Sequence, residues 1–341
     1  MRPTIRDVAR EAGVSLATVD RVLNHRTGVR AATIRRVEDA VSRLGFVRDT
    51  AAANLSRRRD YRFVFLIPEG SNSFMRELEA QVVAMGARLR AARVAVAVIA
   101  IPPFDGDALA AALDRIDPEE TSGIALVATE APSVRDALVR LAGFGIPVVT
   151  LVSDAPLFPR SRYIGIDNVA AGRTAASLLG RFLGPREGRI ALVAGSMLLR
   201  DHMERRMGFE QVMRAEYPRL TPLPVVEGRD DAETTRHALA TLLAAEPGVI
   251  GLYNIGAGNR GVIEILRAAP PASRPVAVVH ELTRHTRAAL REGLAHAIIH
   301  QDAGHEARSA LRVLRACVDG APVLEARERI RVEIYLRDNM P

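Results

Sequence analysis

Three groups of residues in this 341-residue chain have types and spacings that could do chemistry. The first is Gly256-Ala-Gly-Asn-Arg-Gly261, a G-x-G-x-x-G run between an apolar stretch and a helical one, with Glu281 twenty residues on. Glycines at that spacing let a backbone approach a pyrophosphate, and an acid ending the next strand can hold a ribose, so a dinucleotide site is one reading. The second group is His280, His285, His296, His300 and His305. Zinc needs ligands that converge, yet Ala297-Ile-Ile299 reads as a strand that sets His296 and His300 about 13 Å apart, so no metal is expected. The third group follows the ends of apolar runs: Asn72 and Phe74, Asp154, Asn168, Asn254, Glu281 and Gln301. Carboxylates accept from hydroxyls, amides both donate and accept, and a ring covers the apolar face of a sugar, so this set suits a small polyhydroxylated ligand. The sequence contains no nucleophile elbow, phosphate-binding P-loop or Cys-x-x-Cys pair. Nothing argues for an enzyme, and outside the dinucleotide alternative no cofactor is expected.

A repeating pattern positions these residues. Short apolar runs at 63–67, 94–99, 123–127, 147–151, 189–193, 249–253 and 275–279 alternate with helical segments. Runs without polar alternation suit parallel strands buried on both faces, which predicts an α/β protein with two doubly wound sheets. The break between the sheets falls near 163–168. Ligands in such folds sit beyond the carboxyl ends of the strands, where the third group lies. The glycine run falls in the sixth of these units instead of opening a dinucleotide-binding half.

The first 62 residues obey a different pattern. Thr4 with Asp7 resembles a capping box, Ser15 with Thr18 offers a second N-cap, and Gly13 between them supplies a helix exit. Ile5, Val8, Ala9 and Ala12 form one helical stripe; Val19, Val22 and Leu23 form the next. Two short helices about so tight a turn make a helix-turn-helix, and a third helix over 31–44 completes a head. Charge agrees. Residues 1–62 hold 14 Arg against 7 Asp and Glu, a surplus of seven that equals the net +7 of the whole chain. The remainder is neutral, so the electrostatic footprint of phosphate binding sits on this N-terminal segment alone. No run of 18 apolar residues exists to span a membrane, and Cys317 is alone, which fits a reducing compartment; the expected location is cytoplasmic.

Residues 4–24, 29–46 and 52–55 together resemble the N-terminal region of the lactose-repressor (LacI) family of bacterial transcription regulators. The resemblance implies a head over 1–47, a hinge helix over 48–60 and an effector-binding and dimerising domain over 61–341, like the periplasmic sugar-binding proteins. Its two subdomains are expected at about 61–161 plus 293–323 and 162–292 plus 324–341. It implies a homodimer that binds a near-palindromic operator and responds to a sugar or polyol. Base reading would fall to Leu16, Ala17 and Arg21, phosphate contact to Ser15, Thr18 and Asn24, with Thr4 also among the DNA-binding candidates. Leu55 would be an apolar wedge in the minor groove. Arg205, in Arg205-Arg-Met-Gly-Phe209, matches the family's Arg-x-x-Gly-aromatic motif and joins the effector set. The chain departs from the family at Asp20, where a small hydroxyl is usual, at Val152, and at Tyr253-Asn254 and Glu281 in place of Asn-Asp and Asp.

Overall fold

A computed structural model describes residues 3–23, 28–44 and 60–341, in two units that divide between Arg59 and Asp60. In the head, the Thr4 hydroxyl accepts the Asp7 N–H at 3.4 Å while the Asp7 carboxylate accepts the Thr4 N–H at 2.8 Å, starting helix α1 (Ile5–Ala12). Gly13, at φ 61°, ends it in the left-handed conformation that a side chain would resist. Ser15 Oγ accepts the Thr18 N–H at 3.2 Å and starts α2 (Leu16–Leu23). Helix α3 (Ala31–Leu44) covers both, and Val8, Val19, Val37 and Ala40 are fully buried among the three. Asn24 and Leu55 lie outside the described residues, as does the expected hinge except for Asp60.

In the second unit, β1 (Tyr61–Pro68), β2 (Val94–Ile101), β3 (Gly123–Leu126), β4 (Val148–Leu151) and β5 (Arg162–Ile164) form a parallel sheet in the order β2-β1-β3-β4-β5. The second sheet uses β6 (Gly188–Ala194), β7 (Leu220–Pro222), β8 (Val226–Glu227), β9 (Val249–Asn254), β10 (Val276–His280), β11 (Ala297–His300) and β12 (Glu333–Tyr335). Its order is β12-β11-β10-β9-β6-β7, with β8 also on β6 and β12 antiparallel to β11. Strand order reverses between β1 and β3 in the first sheet and between β6 and β9 in the second; these are the switch points at which ligands bind. The helices are, in chain order, α4 (Ser73–Leu89), α5 (Gly106–Asp114), α6 (Pro132–Gly143), α7 (Asn168–Leu183), α8 (Arg200–Glu216), α9 (Ala232–Ala245), α10 (Asn259–Ala268), α11 (Arg284–Arg291), α12 (Ala303–Asp319) and α13 (Glu325–Glu328).

The first crossing falls where the sequence break was expected, near 163–168: β5 is the edge strand of the first sheet, so the chain leaves that lobe after Ile164. The second falls later than expected. β11 pairs with β10 in the second sheet, so the return comes after His300 and not at 293. Helix α12 then packs on α4 of the first lobe, and β12 crosses back. β5, β7, β8 and β12 escape sequence reading because two or three residues are too few to carry a period.

Two glycines decide how α7 and α8 meet. A Cβ on Gly172 would lie 1.8 Å from the Arg205 carbonyl oxygen, and one on Gly208 would lie 2.1 Å from that of Val169. Backbone therefore touches backbone at both crossings, which sets the start of α7 directly beside the arginine of α8.

Candidate functional site

The first candidate surface lies on the head. Ala17 and Arg21 are exposed on α2 with Leu16, which is 44% exposed; Ser15, just before the helix, is exposed too, and Thr18 is half-buried. A hollow of about 460 Å³ is lined by Ser15, Thr18, Arg21, Arg30, Thr33 and Arg36 among others, so three guanidinium groups and three hydroxyls share one side of the head. Thr4 is exposed too, but its hydroxyl is held by Asp7 in the helix cap.

The second candidate is the cleft between the lobes of the larger unit. A cavity of about 80 Å³ is bounded by Ser71, Asn72 and Phe74 from beyond β1 and by Asp230, Gly258 and Glu281 from the other lobe. It adjoins a larger hollow of about 600 Å³ that shares Phe74 and Glu281. Asn72 caps α4, accepting the N–H groups of Phe74 and Met75, and its amide donates to Asp230 Oδ2 across the cleft at 2.9 Å. Glu281 accepts from the Gln301 amide at 2.9 Å and pairs with His300 at 3.0 Å. Burial is the largest influence and opposes charge on that imidazole, but the bond to Glu281 together with the charges of Glu281, Glu333 and Asp302 outweighs it and holds the His300 pKa above its ordinary value. Asn254 donates to Asn259, a residue lining the cavity, at 2.7 Å.

Behind these groups lies Arg205, 3% exposed. Its Nε donates to Asn168 Oδ1 at 2.8 Å and its Nη1 to the Ile255 carbonyl at 2.9 Å, while Nη2 has no hydrogen-bond partner. The Arg-x-x-Gly-aromatic motif thus has a mechanical explanation. Gly208 permits the contact with α7, and the next residue, Phe209, stacks on Tyr253 of β9 at 4.8 Å between centroids. Other buried polar atoms also lack partners: Asp201 Oδ1, Asn254 Oδ1, Gln301 Oε1, His280 Nδ1 and both carboxyl oxygens of Glu306. Buried polar groups ordinarily find partners, so a cluster of unpaired ones beside a cleft makes this a candidate ligand site.

Asp154 stands apart. Its carboxylate is taken up by Thr150, the Ala155 N–H and a two-point bond to Arg160 at 2.6 and 2.7 Å, so it fastens its own loop. Asn72, Phe74 and Glu281 do border the cavity, while Asn168, Arg205, Asn254 and Gln301 form the layer behind it. Sequence reading missed Asp201, Asp230 and Glu306. Asp201 lies four residues before Arg205, one turn along the same helix face, which is a usable signal. Asp230 and Glu306 had none beyond their acidity. Backbone conformation picks out the same region: the non-glycine residues at positive φ include Phe104, Val152, Arg229, Asp230 and Glu281, each just beyond a strand's carboxyl end. Such strained residues gather at functional sites.

The glycine run has a different use from the dinucleotide one. A Cβ on Gly256 would lie 2.7 Å from His202 Nε2, on Gly258 2.1 Å from Thr235 Oγ1, and on Gly261 2.1 Å from the Ala232 carbonyl. The glycines let α9 and α10 pack closely. The Ala257 N–H, which would face a pyrophosphate, donates instead to the Asp230 carboxylate at 3.1 Å, and that charge repels phosphate. The histidines do not converge either: His280 bonds Tyr253, His300 bonds Glu281, His296 accepts the Ala277 N–H, and His305 reaches the Arg327 carbonyl.

Known proteins agree with this architecture. Residues 63–322 match the periplasmic binding protein domain family, and residues 4–49 match the bacterial regulatory proteins of the lacI family. The transcriptional regulator RegA of Clostridium saccharobutylicum is 44% identical over 78 residues, 23% of this chain and 24% of that protein. DegA of Bacillus subtilis, also a transcriptional regulator, is 26% identical over 71% of this chain and 70% of its own length. Among solved structures, GanP, a glucose-galactose binding protein from Geobacillus stearothermophilus, superposes with a TM-score of 0.73 at 21% identity, covering 83% of this chain and 99% of that one. The larger unit is a periplasmic-binding-protein domain. In front of it, residues 4–49 form a head of the lacI regulatory family, so the chain joins a lacI-type DNA-binding domain to a periplasmic-binding-protein domain.

Proposed function

We propose that the protein is a homodimeric, effector-controlled repressor, in which two heads read a near-palindromic operator and each cleft closes on a sugar or polyol. The observation that carries this reading is a division of labour along one chain. The first 59 residues hold the whole positive surplus, with polar and apolar side chains exposed on α2, and the two-lobed unit buries unpaired hydrogen-bonding groups beside a cleft. On the head, Arg21 takes a guanine through two bonds, Leu16 and Ala17 offer apolar contact to a thymine methyl, and Ser15 and Thr18 meet phosphate. Asn24 and Leu55 complete the DNA contacts, the latter as the minor-groove wedge of a hinge over 48–60. In the cleft, Asn72 and Phe74 meet the effector from one lobe and Glu281 from the other, and the layer behind, Arg205, Asn168, Asn254 and Gln301, supplies buried hydrogen-bonding groups to the same site.

Closure then biases the dimer between arrangements that permit or forbid paired hinges, which couples the two sites. Full-length protein titrated onto DNA from upstream of its own gene, with and without a panel of sugars and polyols, tests the proposal. A sequence-specific gel shift that one panel member weakens is the expected result. Binding that no panel member alters, or that random DNA matches, overturns it.

A further inference from the structure

Four acidic side chains of the larger unit are buried: Asp201, Glu281, Glu306 and Glu328. Three of them have a cation within ion-pair range: Asp201 has Arg205 at 3.7 Å, Glu281 has His300 at 3.0 Å, and Glu328 has Arg312 at 2.5 Å. Glu306 has none among the described residues. It is fully buried in the first turn of α12, and neither carboxyl oxygen makes a hydrogen bond. Its surroundings are those of the cleft. The charged and titratable groups that act on it are Glu281, Arg205, Asp302 and Asp201, and it acts in turn on Tyr163. One residue before α12 begins, Asp302 lines the larger hollow, as do Ala303 and Gly304.

The unpaired atoms beside the cleft are also lopsided. Asp201, Asn254, Gln301 and Glu306 offer acceptor oxygens, Arg205 Nη2 is a donor, and His280 Nδ1 is one or the other according to its tautomer. A guest that satisfies them must bring more donors than acceptors. A neutral sugar hydroxyl brings one of each, but an ammonium brings three donors and no acceptor. An ammonium also supplies the counter-charge that Glu306 lacks, and the positive end of α12 already favours the carboxylate form there.

We propose that Glu306 is a specificity-determining residue of the effector site and that it selects an amine-bearing polyol, such as an amino sugar, over its neutral parent. The proposal rests on the cleft being the effector site. Burial pushes the Glu306 pKa well above the usual carboxylate range, aided by Glu281, and an ammonium placed against it draws that pKa back down. Binding of an ammonium therefore releases a proton from Glu306, and binding of a neutral polyol does not.

The test uses paired probes with the full-length protein: D-glucosamine against D-glucose, D-galactosamine against D-galactose, and glucamine against sorbitol. Calorimetry at pH 7 in two buffers of different ionisation enthalpy reports affinity and proton release together. In at least one pair the amine should bind tenfold or more tightly and release a proton. Glu306→Gln, checked for folding by its melting transition, should reduce that preference to about twofold or less. Equal or tighter binding of the neutral partners, or an amine preference without proton release, overturns the assignment even if Glu306→Gln does not fold. Binding of neutral sugars alone leaves the effector reading standing and removes Glu306 from it. If no probe of either kind binds and none alters the operator gel shift, the effector reading falls and this inference with it.

Discussion

The head and the cleft solve opposite problems. In the head the core is small and apolar, and the residues offered to a partner are on the outside: Leu16, Ala17 and Arg21 lie within six consecutive positions of one helix. In the cleft the proposed partner groups are inside, and they come from seven separate stretches between Asn72 and Glu306. A surface reader pays little folding cost for its polar groups, because water satisfies them. A buried reader must satisfy each polar group with protein or ligand, and a lone unpaired one costs about 1–3 kcal/mol. Substitution should therefore act on stability in the cleft and on recognition alone in the head.

The strongest challenge to this contrast is at Gly208. Gly208→Val forces side-chain atoms into the Val169 carbonyl and pushes α8 from α7, with an expected loss of about 3 kcal/mol or more of stability. Thermal melting should fall for the larger unit's transition. An unchanged melt would mean that the helices can separate cheaply and that Arg205 is not held as described. Next is Arg205→Ala, which removes the charged donor from the buried set. Affinity for the best-binding member of the sugar panel should drop about ten- to a hundredfold, or about 1.5–3 kcal/mol, and the gel shift at saturating ligand should no longer respond. If effector affinity survives, Arg205 serves only to tie Asn168 to Ile255. Smallest is Arg21→Ala, which should cost about 1–3 kcal/mol of discrimination between operator and random DNA while leaving the melting temperature within about a degree. Equal losses on both DNAs would make Arg21 a phosphate contact.

How much of each region could be read from sequence follows from the same contrast. The head is local: Thr4, Asp7, Gly13 and Ser15 sit within twelve positions, and each performs the capping that its type suggests. The sheets were legible because long apolar runs leave no other choice, and the short edge strands were not. Within the cleft, residues at strand ends such as Asn72, Glu281 and Asn168 could be found by topology. Asp154 has the same address, yet Arg160, six residues on, captures it. Glu306 could not be found, because it sits on a helix and its isolation from any cation is a fact of three dimensions.

One cleft feature bears on the dose response of a regulator built this way. Asn72 with Asp230, Arg200 with Glu130 at 3.1 Å, and Arg229 over the Phe104 ring at 5.7 Å each join one lobe to the other. Every such contact is made by protein alone, so it favours the closed arrangement whether or not a guest is present. If together they contribute about 2 kcal/mol, they raise the closed-to-open ratio about thirtyfold and relieve the ligand of that share of the work. If the strained turn at Arg229 and Asp230, both at positive φ, relaxes when the lobes part, it subtracts from the same sum. Latch and strain thus set a bias before any molecule arrives: a tighter latch gives response to scarcer signal at the expense of a leakier resting state, and a tenser turn does the reverse.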